Sequence, residues 1–382
     1  MQPRFFLRRR FLWSFLPVAC VALLGATSLI GAGRTLVPFD DVETLNGRMA
    51  SKRDFFEDEQ VEKLLLSHGI RVRITASGSR EAVTGDLTGV DFVFPSGLPT
   101  ARLTLDQRRG SGQHVYTSRP FVSPIVLATY RPYAEALRGK GIASAQAGDG
   151  SLYYDLDMAA FVDLVRSGET WNGIGIGRHG ARNGNSVLAN SPSVCNANSA
   201  ATYLAMVTYA VDGRVPTTEQ EADEAATRIK PLLVRQGLPV PDLLPLYLSQ
   251  EGRGTAPIVV VYEHQYLSHQ VRTRERTGSV DADRVLLYPD AAIQTIPEFI
   301  SLTPAADRLG DLIRTDADLR RRAMELGFRV LDPDGQHTSS QLSLYLKEKG
   351  VPEPSTGEDD TSTPLPDLAL IERMIKSIGG CP

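Results

Sequence analysis

Apolar and polar residues recur along this chain with two different spacings, and the spacing changes from one segment to the next. Ile70–Ala76 (IRVRITA) alternates residue by residue, which predicts a strand. Residues 51–69 before it begin with capping-box spacing and carry apolar side chains at helical intervals, which predicts a helix. Ile258–Tyr262 is a continuous apolar run of the kind found in strands buried on both faces, and Arg284–Pro289 is predicted to be the next strand. Strands that alternate with helices predict an α/β architecture with mostly parallel sheets.

Residues 116–130 (YTSRPFVSPIVLATY) divide this pattern into two similar parts. Pro120 and Pro124 cannot donate a backbone hydrogen bond, so the first half of the stretch suits an edge or a crossing segment better than a central strand. Residues 126–130 then have the β-branched and aromatic content of a buried strand. We therefore predict that the chain leaves one lobe and enters a second lobe here.

The chain also has to return to its first lobe. We predict that Arg284–Pro289 brings it back, side by side with residues 116–130 between the lobes. The polar, low-complexity stretch 351–366 predicts a flexible linker before a short amphipathic helix. The predicted organisation is an anchor with cytoplasmic arginines at 1–33, a tether at 34–50, a first lobe at 51–125 plus 285–350, a second lobe at 126–284, the linker at 351–366 and a C-terminal helix at 367–382.

Residues 11–32 (FLWSFLPVACVALLGATSLIGA) are uncharged and apolar, and about 20 such residues are enough to span a bilayer. Arginines precede this run and acidic residues follow it closely, so the positive-inside rule places the bulk of the chain outside the cytoplasm. We expect an uncleaved, single-pass anchor in the cell membrane. A cleaved signal peptide is the alternative, and a lipoprotein-type modification at Cys20 is a further one.

The composition is that of a globular protein without a nucleic-acid partner. With 382 residues, 42% of them hydrophobic and 23% charged, the chain is long enough for two domains. A net charge of −4 gives no reason to expect nucleic acid, which usually requires a basic face. Beyond the apolar N-terminal run the cysteines are Cys195 and Cys381. A disulfide is permitted outside the cytoplasm, but two cysteines alone do not establish that they are paired.

Two loops that lead into helices carry the candidate chemistry. Residues 75–79 (TASGS) follow a predicted buried strand, and residues 193–199 (SVCNANS) enter a predicted helix. Hydroxyl and amide side chains beside the unpaired N–H groups of a helix start bind anions through hydrogen bonds and the helix dipole. Crevices at the carboxyl ends of strands are the usual ligand sites of open α/β sheets. The alternative is that these residues act only as caps and turn formers.

Several segments, taken in their order along the chain, resemble one family. They are ITASGS, DFVFPSG, RPFVSPIVLATY, NSPSVCNANSAATYLAM, VVVYEHQYL, RVLLYPD and LGDLIRTDADLRRRAMELGFR. Over residues 54–328 the chain resembles bacterial extracytoplasmic solute-binding proteins of the type II periplasmic-binding fold, nearest their molybdate/sulfate-type branch. The resemblance rests on the order and spacing of the segments.

The resemblance implies two lobes joined by two crossing hinge strands, with a small anionic or polar solute bound in the cleft between them. It implies no metal and no cofactor. The residues carried over by position as solute contacts are Ser77, Ser79 and Ser96 in the first lobe and Asn198, Ser199 and Tyr262 in the second. For Tyr262, which ends a buried strand, the alternative is an ordinary core aromatic.

The chain departs from the family pattern in two places. Residues 173–184, where another hydroxyl is expected, carry Arg178, His179 and Arg182 instead. These side chains either contact an anionic or larger ligand or are ordinary surface charge. An uncleaved anchor is also unusual for a free binding protein, and it favours a tethered receptor or a fixed subunit of a membrane assembly, such as a transporter with its permease.

Sequence signatures of enzymes are poor. The serine pair at 77–79 lacks the flanking residues of a nucleophile elbow, and His264 and His269 are too far apart for the zinc motif His-Glu-x-x-His. Cys195 has no evident histidine partner. We therefore predict a binding protein rather than an enzyme. The alternative from another functional class is an interaction module that binds no small ligand, and a cleft filled by side chains would favour it.

Overall fold

A computed structural model describes residues 42–49, 52–78, 80–148, 150–234, 243–290, 297–332, 340–355 and 364–381. Two five-stranded sheets form the centres of two lobes, and a two-stranded sheet lies where the chain crosses between them. This arrangement confirms the predicted two-lobed α/β fold.

The strands of both sheets come from distant parts of the chain. In spatial order, the first sheet contains β2 (Ile70–Ala76), β1 (Glu43–Met49), β3 (Phe92–Phe94), β11 (Phe299–Ser301) and β4 (Tyr116–Ser118). The second contains β7 (Ala143–Ala145), β8 (Tyr153–Leu156), β10 (Arg284–Pro289), β6 (Ile125–Tyr130) and β9 (Ile258–Tyr262). The small crossing sheet consists of β5 (Phe121–Val122) and β12 (Arg329–Val330).

Helices cover the faces of both sheets, and apolar side chains at helical spacing bury one face of each. Numbered along the chain, they are α1 (Arg53–Phe56), α2 (Glu59–Ser67), α3 (Glu81–Thr84), α4 (Leu98–Gly110), α5 (Arg131–Gly139), α6 (Met158–Ser167), α7 (Asn198–Asp212), α8 (Glu219–Val234), α9 (Leu243–Leu248), α10 (Gly252–Thr255), α11 (Glu263–Thr277), α12 (Pro304–Thr315), α13 (Ala317–Glu325), α14 (Gln341–Glu348) and α15 (Leu368–Gly379). A 3₁₀ turn covers Ile176–His179.

The helix predicted for residues 51–69 is divided in two. Asp58 separates α1 from α2, and its carboxylate accepts hydrogen bonds from the N–H groups of Gln60 and Val61, both at 3.1 Å. An aspartate in this position satisfies N–H groups that have no partner inside the helix. The capping signal that starts the longer helix is therefore Asp58, and not the earlier capping-box spacing.

The sheets are mixed rather than mostly parallel, which corrects the prediction. Among the strands of the described ranges, β1 pairs in parallel with β2 and β3, and β8 pairs in parallel with β10, and an isolated parallel bridge joins Asn190 to Val259. Residues 116–130 carry the chain into the second lobe, and it returns to the first sheet at β11. The strands next to these two crossings enter their sheets in the opposite direction, as β11 does beside β3 and β6 does beside β9. The double crossing is therefore the physical reason for the mixed pairing.

Residues 116–130 cross from the first lobe to the second, as predicted. β4 pairs in the first sheet and β6 in the second, with β5 paired to β12 between them. Pro120 and Pro124 lie in the unpaired joints between these short strands. A residue without an N–H group loses no ladder hydrogen bond there.

The return segment runs beside this crossing, but the predicted lobe boundary at residue 285 is wrong. β10 lies antiparallel to β6, with Leu287 opposite Leu127, which confirms that the two segments are neighbours. This pairing lies inside the second sheet, so β10 belongs to the second lobe. The first sheet resumes only at β11.

Three further parts of the predicted organisation change. Residues 43–49 form β1 in the interior of the first sheet, although they were predicted to be part of the tether. Helix α14, predicted in the first lobe, buries Leu342 and Leu346 in the second-lobe core. Residues 351–355, predicted to be flexible, are packed, because Tyr153 donates a hydrogen bond to the Pro352 carbonyl at 2.7 Å.

The predicted C-terminal helix exists as α15, and it packs on α7 and α8 with its apolar face in the second-lobe core. Cys195, before α7, and Cys381, after α15, form a disulfide, which settles the open question of their pairing. The predicted anchor at 1–33 lies outside the described residues. Within the described ranges, no helix combines the length and the apolar character needed to cross a membrane.

Candidate functional site

Loops from both lobes meet where the chain crosses. Met49, Ala76 and Phe94 end β1, β2 and β3 on the same edge of the first sheet, which is the edge where β4 leaves and β11 begins. In the second sheet, Tyr262 at the end of β9 lies opposite Ile125 at the start of β6, so the carboxyl ends of β8, β9 and β10 face the first lobe. The residues that follow these strands therefore converge between the lobes.

Lys52 follows β1 at this edge and is completely buried, with 0% of its surface exposed. Its Nζ lies 4.2 Å from the centroid of the Tyr262 ring and 5.2 Å from that of Phe328, both within cation–π range. Among the described residues this ammonium group has no hydrogen-bond partner. Burial lowers the pKa of Lys52 to about 7, and the charge of Asp54 opposes that shift.

His264 lies in the first turn of α11, on the second-lobe side, and is also buried. Its Nδ1 lies 2.8 Å from the Ser123 hydroxyl, and its ring stacks on Phe328 with the centroids 3.9 Å apart. The other ring nitrogen, Nε2, has no hydrogen-bond partner in the described part of the chain and lies 3.9 Å from an Asp54 carboxylate oxygen. Burial and the neighbouring Lys52 charge lower the pKa of His264 well below its usual range, so the imidazole is neutral at pH 7.

The predicted serines follow strands β2 and β3. Ser77 has a buried hydroxyl without a hydrogen-bond partner among the described residues, and its N–H donates to the Met49 carbonyl at 3.2 Å. Ser96 is completely buried. Ser79 lies outside the described residues. Ser77 is therefore the predicted first-lobe contact that presents an unused polar group.

The two predicted residues at the start of α7 face the first lobe. Asn198 is 1% exposed, and its Oδ1 accepts a hydrogen bond from the Thr100 hydroxyl of α4 at 3.1 Å. Its Nδ2 lies 3.4 Å from the Thr202 hydroxyl, and a methyl group added at Gly97 would meet this nitrogen at 2.5 Å. Ser199 is buried next to it. The Asn198 amide therefore bridges the lobes directly.

A second contact joins the lobes beside the first. The Arg80 N–H donates to the Asn196 carbonyl at 3.1 Å, and the Arg80 guanidinium forms a two-pronged ion pair with Glu372 of α15. Gly78 lies so close to Asn196 that a side-chain carbon there would be 2.4 Å from the carbonyl oxygen. The lobes are thus in contact along this side of the site.

A buried ion pair fixes the crossing region behind the site. Glu263, directly after β9, is completely buried and pairs with Arg329 of β12 at 2.7 and 2.8 Å. The Tyr288 hydroxyl donates to the same carboxylate at 2.7 Å. Two charged hydrogen bonds and a phenol satisfy this carboxylate, which makes its burial tolerable.

Tyr262, a predicted second-lobe contact, ends β9. It is buried like a core residue, and its ring is the surface on which the Lys52 ammonium rests. Arg178, His179 and Arg182, around the 3₁₀ turn, are all exposed. No group of three His, Cys, Asp or Glu side chains in the described ranges is arranged to hold a metal ion.

Sequence reasoning missed four of the residues at this site, namely Lys52, Arg80, Thr100 and His264. A strand followed closely by a lysine at the carboxyl edge of a sheet is a readable signal, but β1 itself went unrecognised. Thr100 and Arg80 contact partners in the other lobe. The partner of Thr100 is on α7, and the partners of Arg80 are in the loop before α7 and on α15. Such pairings over long sequence distances leave no local pattern.

The fold is similar to known two-lobed proteins. It matches iron-bound HitA from Pseudomonas aeruginosa with a TM-score of 0.50 and 12% sequence identity, over 88% of this chain and 99% of that chain. It also matches a two-component system protein that mediates signal transduction with a TM-score of 0.51 and 9% identity, over 88% of this chain and 100% of that chain.

These similarities show the type II periplasmic-binding fold and do not single out its molybdate/sulfate-type branch. No protein-family model matches the chain, and no curated protein matches it in sequence.

Proposed function

We propose that the protein is a non-enzymatic solute-binding protein, held at the cell membrane by its N-terminal segment with both lobes outside the cytoplasm. The lobes close around a small anion or polar solute. The bound form then serves transport with a permease, or sensing within another membrane complex.

Buried polar groups without partners, placed at the facing edges of the two lobes, carry this proposal. Lys52 Nζ and Ser77 Oγ come from the first lobe, and His264 Nε2 comes from the second. Buried polar groups without hydrogen bonds are rare in folded proteins because each retains the cost of leaving water. A solute that bonds to both lobes recovers part of that cost only when the lobes are closed, so its binding favours closure.

A thermal-shift screen of the full-length protein in detergent tests this function, with sulfate, molybdate, phosphate, small carboxylates and neutral sugars as probes. A solute at 100 times its Kd stabilises the folded state by about 2.7 kcal/mol, which appears as a dose-dependent rise in Tm. Ser77→Ala should weaken that response. Ser67→Ala, at the exposed end of α2, is the matched control and should leave it unchanged. If the solute raises the Tm of Ser77→Ala as much as that of Ser67→Ala, the solute does not bind at Ser77.

The contact between Asn198 and Thr100 favours a second candidate, an interaction module whose cleft is filled by its own side chains. Hydrogen exchange at the Arg80 amide separates the two functions, because this N–H donates across the lobes to Asn196. In a solute receptor the amide should exchange readily without solute and become protected when solute binds. In an interaction module it should be protected from the start, and no solute should change it.

The membrane attachment has its own test. The full-length chain expressed in bacteria should stay in the membrane fraction after an alkaline carbonate wash, whereas residues 34–382 behind a cleavable export signal should be released. N-terminal sequencing of the mature protein then distinguishes the anchor from a cleaved signal peptide. Release of the full-length chain by carbonate would contradict tethering through residues 11–32.

A further inference from the structure

The environment of Lys52 has a specific consequence for the chemistry of the solute. We propose that Lys52 supplies the positive charge that a bound solute neutralises, so that the solute is a small oxygen-bearing anion. This assignment rests on the proposed function and narrows it from polar solutes in general to anions.

The ammonium group of Lys52 has no direct hydrogen-bond partner in the described part of the chain. The charge of Asp54 acts on it without a hydrogen bond, and it offsets only part of the effect of burial, because the pKa of Lys52 remains lowered to about 7. The Tyr262 and Phe328 rings face it, but a ring face accepts no conventional N–H hydrogen bond. A lysine that is completely buried without a counter-ion is costly, because an ammonium group loses its hydration on burial.

The buried polar groups without hydrogen-bond partners on Ser77 and His264 also suit an anion. Ser77 Oγ can donate a hydrogen bond, and Ser77 lies, like Lys52, at the carboxyl edge of the first sheet. The neutral His264 ring can carry its proton on Nε2 if Ser123 donates to Nδ1, which is compatible with their 2.8 Å separation. Lys52, Ser77 and His264 would then offer three donors, one of them charged, from both lobes. Oxygen-bearing anions accept such bonds from several directions, and charged hydrogen bonds are the strongest of this kind.

The room between the lobes and the charge of the nearest carboxylate also bear on the solute. Arg80 and Asn198 hold the lobes together on one side of the site, which favours a compact solute over an extended one. Asp54 is the carboxylate whose charge acts on Lys52, and one of its carboxylate oxygens lies 3.9 Å from His264 Nε2. Its side chain is 41% exposed, so water screens its charge more effectively than that of the buried ammonium group.

The test compares wild-type protein with Lys52→Met, which keeps the length of the side chain and removes the charge. The full-length protein in detergent is titrated with sulfate, phosphate and acetate at constant ionic strength, and with glucose and choline as neutral and cationic probes. We expect at least one of the anions to bind the wild type, and Lys52→Met to lose about 10- to 100-fold in affinity for it. Lys63→Met is the matched control, since Lys63 is exposed on α2 and pairs with Glu59, and it should bind like the wild type.

A second readout separates an anion-binding lysine from one that only supports the fold. Without anions, Lys52→Met should have a higher Tm than the wild type, because an apolar side chain replaces an unpaired buried charge. Wild-type protein should also take up protons when it binds the anion near pH 8, measured by calorimetry in buffers of different ionisation enthalpy. The calorimetric measurement uses only the wild-type protein, so the proposal can still be tested if Lys52→Met does not fold.

The possible outcomes distinguish this proposal from the proposed function. Binding of only neutral or cationic probes, equal anion affinity in Lys52→Met, a lower Tm of that variant without anions, or anion binding without proton uptake would each overturn the role of Lys52 and leave solute binding intact. If none of the probes here or in the wider screen binds the wild type, both the role of Lys52 and the proposed function fail.

Discussion

Burial decides what the single residues of this site can do. Lys52 and His264 are both ionisable and both buried, and desolvation lowers the pKa of each because it disfavours the charged form. For His264 the result is a neutral ring near pH 7. For Lys52 the shift brings an ordinarily permanent charge into the physiological range, so its protonation becomes sensitive to pH and to any nearby anion.

The stability of the protein should therefore depend on pH through Lys52. Below its folded-state pKa of about 7 the side chain is charged in both states, and the cost of burying that charge is complete. As the pH rises from about 7 towards 10.5, folded Lys52 releases its proton while the unfolded chain keeps it, so the free energy of unfolding increases. We expect the urea midpoint of the wild type to rise relative to that of Lys52→Met between pH 7 and pH 9.

Two groups face Lys52 in this experiment, His264 and Asp54. The imidazole of His264 is already neutral above pH 7, so it contributes no proton in this interval. Asp54 is present in both the wild type and Lys52→Met. Any contribution of Asp54 to the urea midpoint that does not involve Lys52 is therefore the same in both proteins and cancels in the difference. A difference between the midpoints that stays constant with pH would show that Lys52 is hydrated in solution.

The buried ion pair of Glu263 and Arg329 gives a second prediction at this scale. Arg329→Met leaves a completely buried carboxylate without its cation, and loss of one partner of a buried pair costs about 3–5 kcal/mol. Chemical unfolding measures this loss. Arg321→Met, at an exposed pair on α13, should change stability far less. The double variant Glu263→Gln with Arg329→Met should recover part of the loss, and the idea fails if it does not.

At the scale of elements, the strands and helices with regular patterns could be predicted, and β1 could not. The prolines at 120 and 124 identified the crossing, and apolar runs identified β9 and β10. Strand β1 (ETLNGRM) turns Leu45, Gly47 and Met49 inward, so the middle position of its buried face carries no apolar side chain. The Phe92 ring fills that space, because a side-chain carbon on Gly47 would lie 2.3 Å from it.

Missing β1 had consequences for the site. A residue three positions beyond a strand can be placed on the carboxyl edge of a sheet only if the strand is recognised. Lys52 was therefore placed only within the capping-box spacing at residues 51–54, whereas the loops that follow β2 and β3 were predicted to face the second lobe. The hydrophobic pattern thus located the first-lobe hydroxyls and missed the charge between them.

The close approach of α4 and α7 can be tested with a glycine. Gly97, at the start of α4, has an extended backbone that alanine tolerates, but the added carbon would lie 2.5 Å from Asn198 Nδ2. Gly97→Ala should therefore push the lobes apart, lower the Tm at a cost of about 1–3 kcal/mol and speed exchange at the Arg80 amide. At the other end of α4, a side-chain carbon on Gly110 would meet no atom within 4 Å. Gly110→Ala should therefore leave the Tm and the exchange of the Arg80 amide unchanged. Equal behaviour of the two variants would show that the lobes are not in contact here in solution.

At the scale of the whole molecule, the C-terminal helix connects the lobes in a way that the sequence did not indicate. The disulfide joins cysteines 186 positions apart and fixes α15 beside the loop before α7. Arg80 of the first lobe then contacts both parts of this unit, the Asn196 carbonyl through its N–H and Glu372 through its guanidinium. Neither contact could be predicted, since each pairs polar residues from distant segments whose relative placement depends on the complete fold.

This arrangement predicts that Glu372 controls how far the lobes separate. The Arg80 and Glu372 side chains are only 10% and 17% exposed, so Glu372→Gln weakens a largely desolvated pair and should favour the open arrangement without solute. Fluorescence energy transfer between dyes on non-canonical residues at the exposed positions Lys63 and Glu224 measures the distance between the lobes. In Glu372→Gln that distance should be longer and more broadly distributed.

The adjacent residue provides the matched control, because Arg373 pairs with Asp223 and Glu219 within the second lobe. Arg373→Ala should loosen α15 on α8 and leave the distance between the lobes unchanged. Reduction of the disulfide frees the end of α15 from the loop that carries Asn196, and it should lengthen the distance as Glu372→Gln does. If Arg373→Ala opens the lobes as much as Glu372→Gln, closure depends on the general docking of α15 and not on the charge that it presents to Arg80.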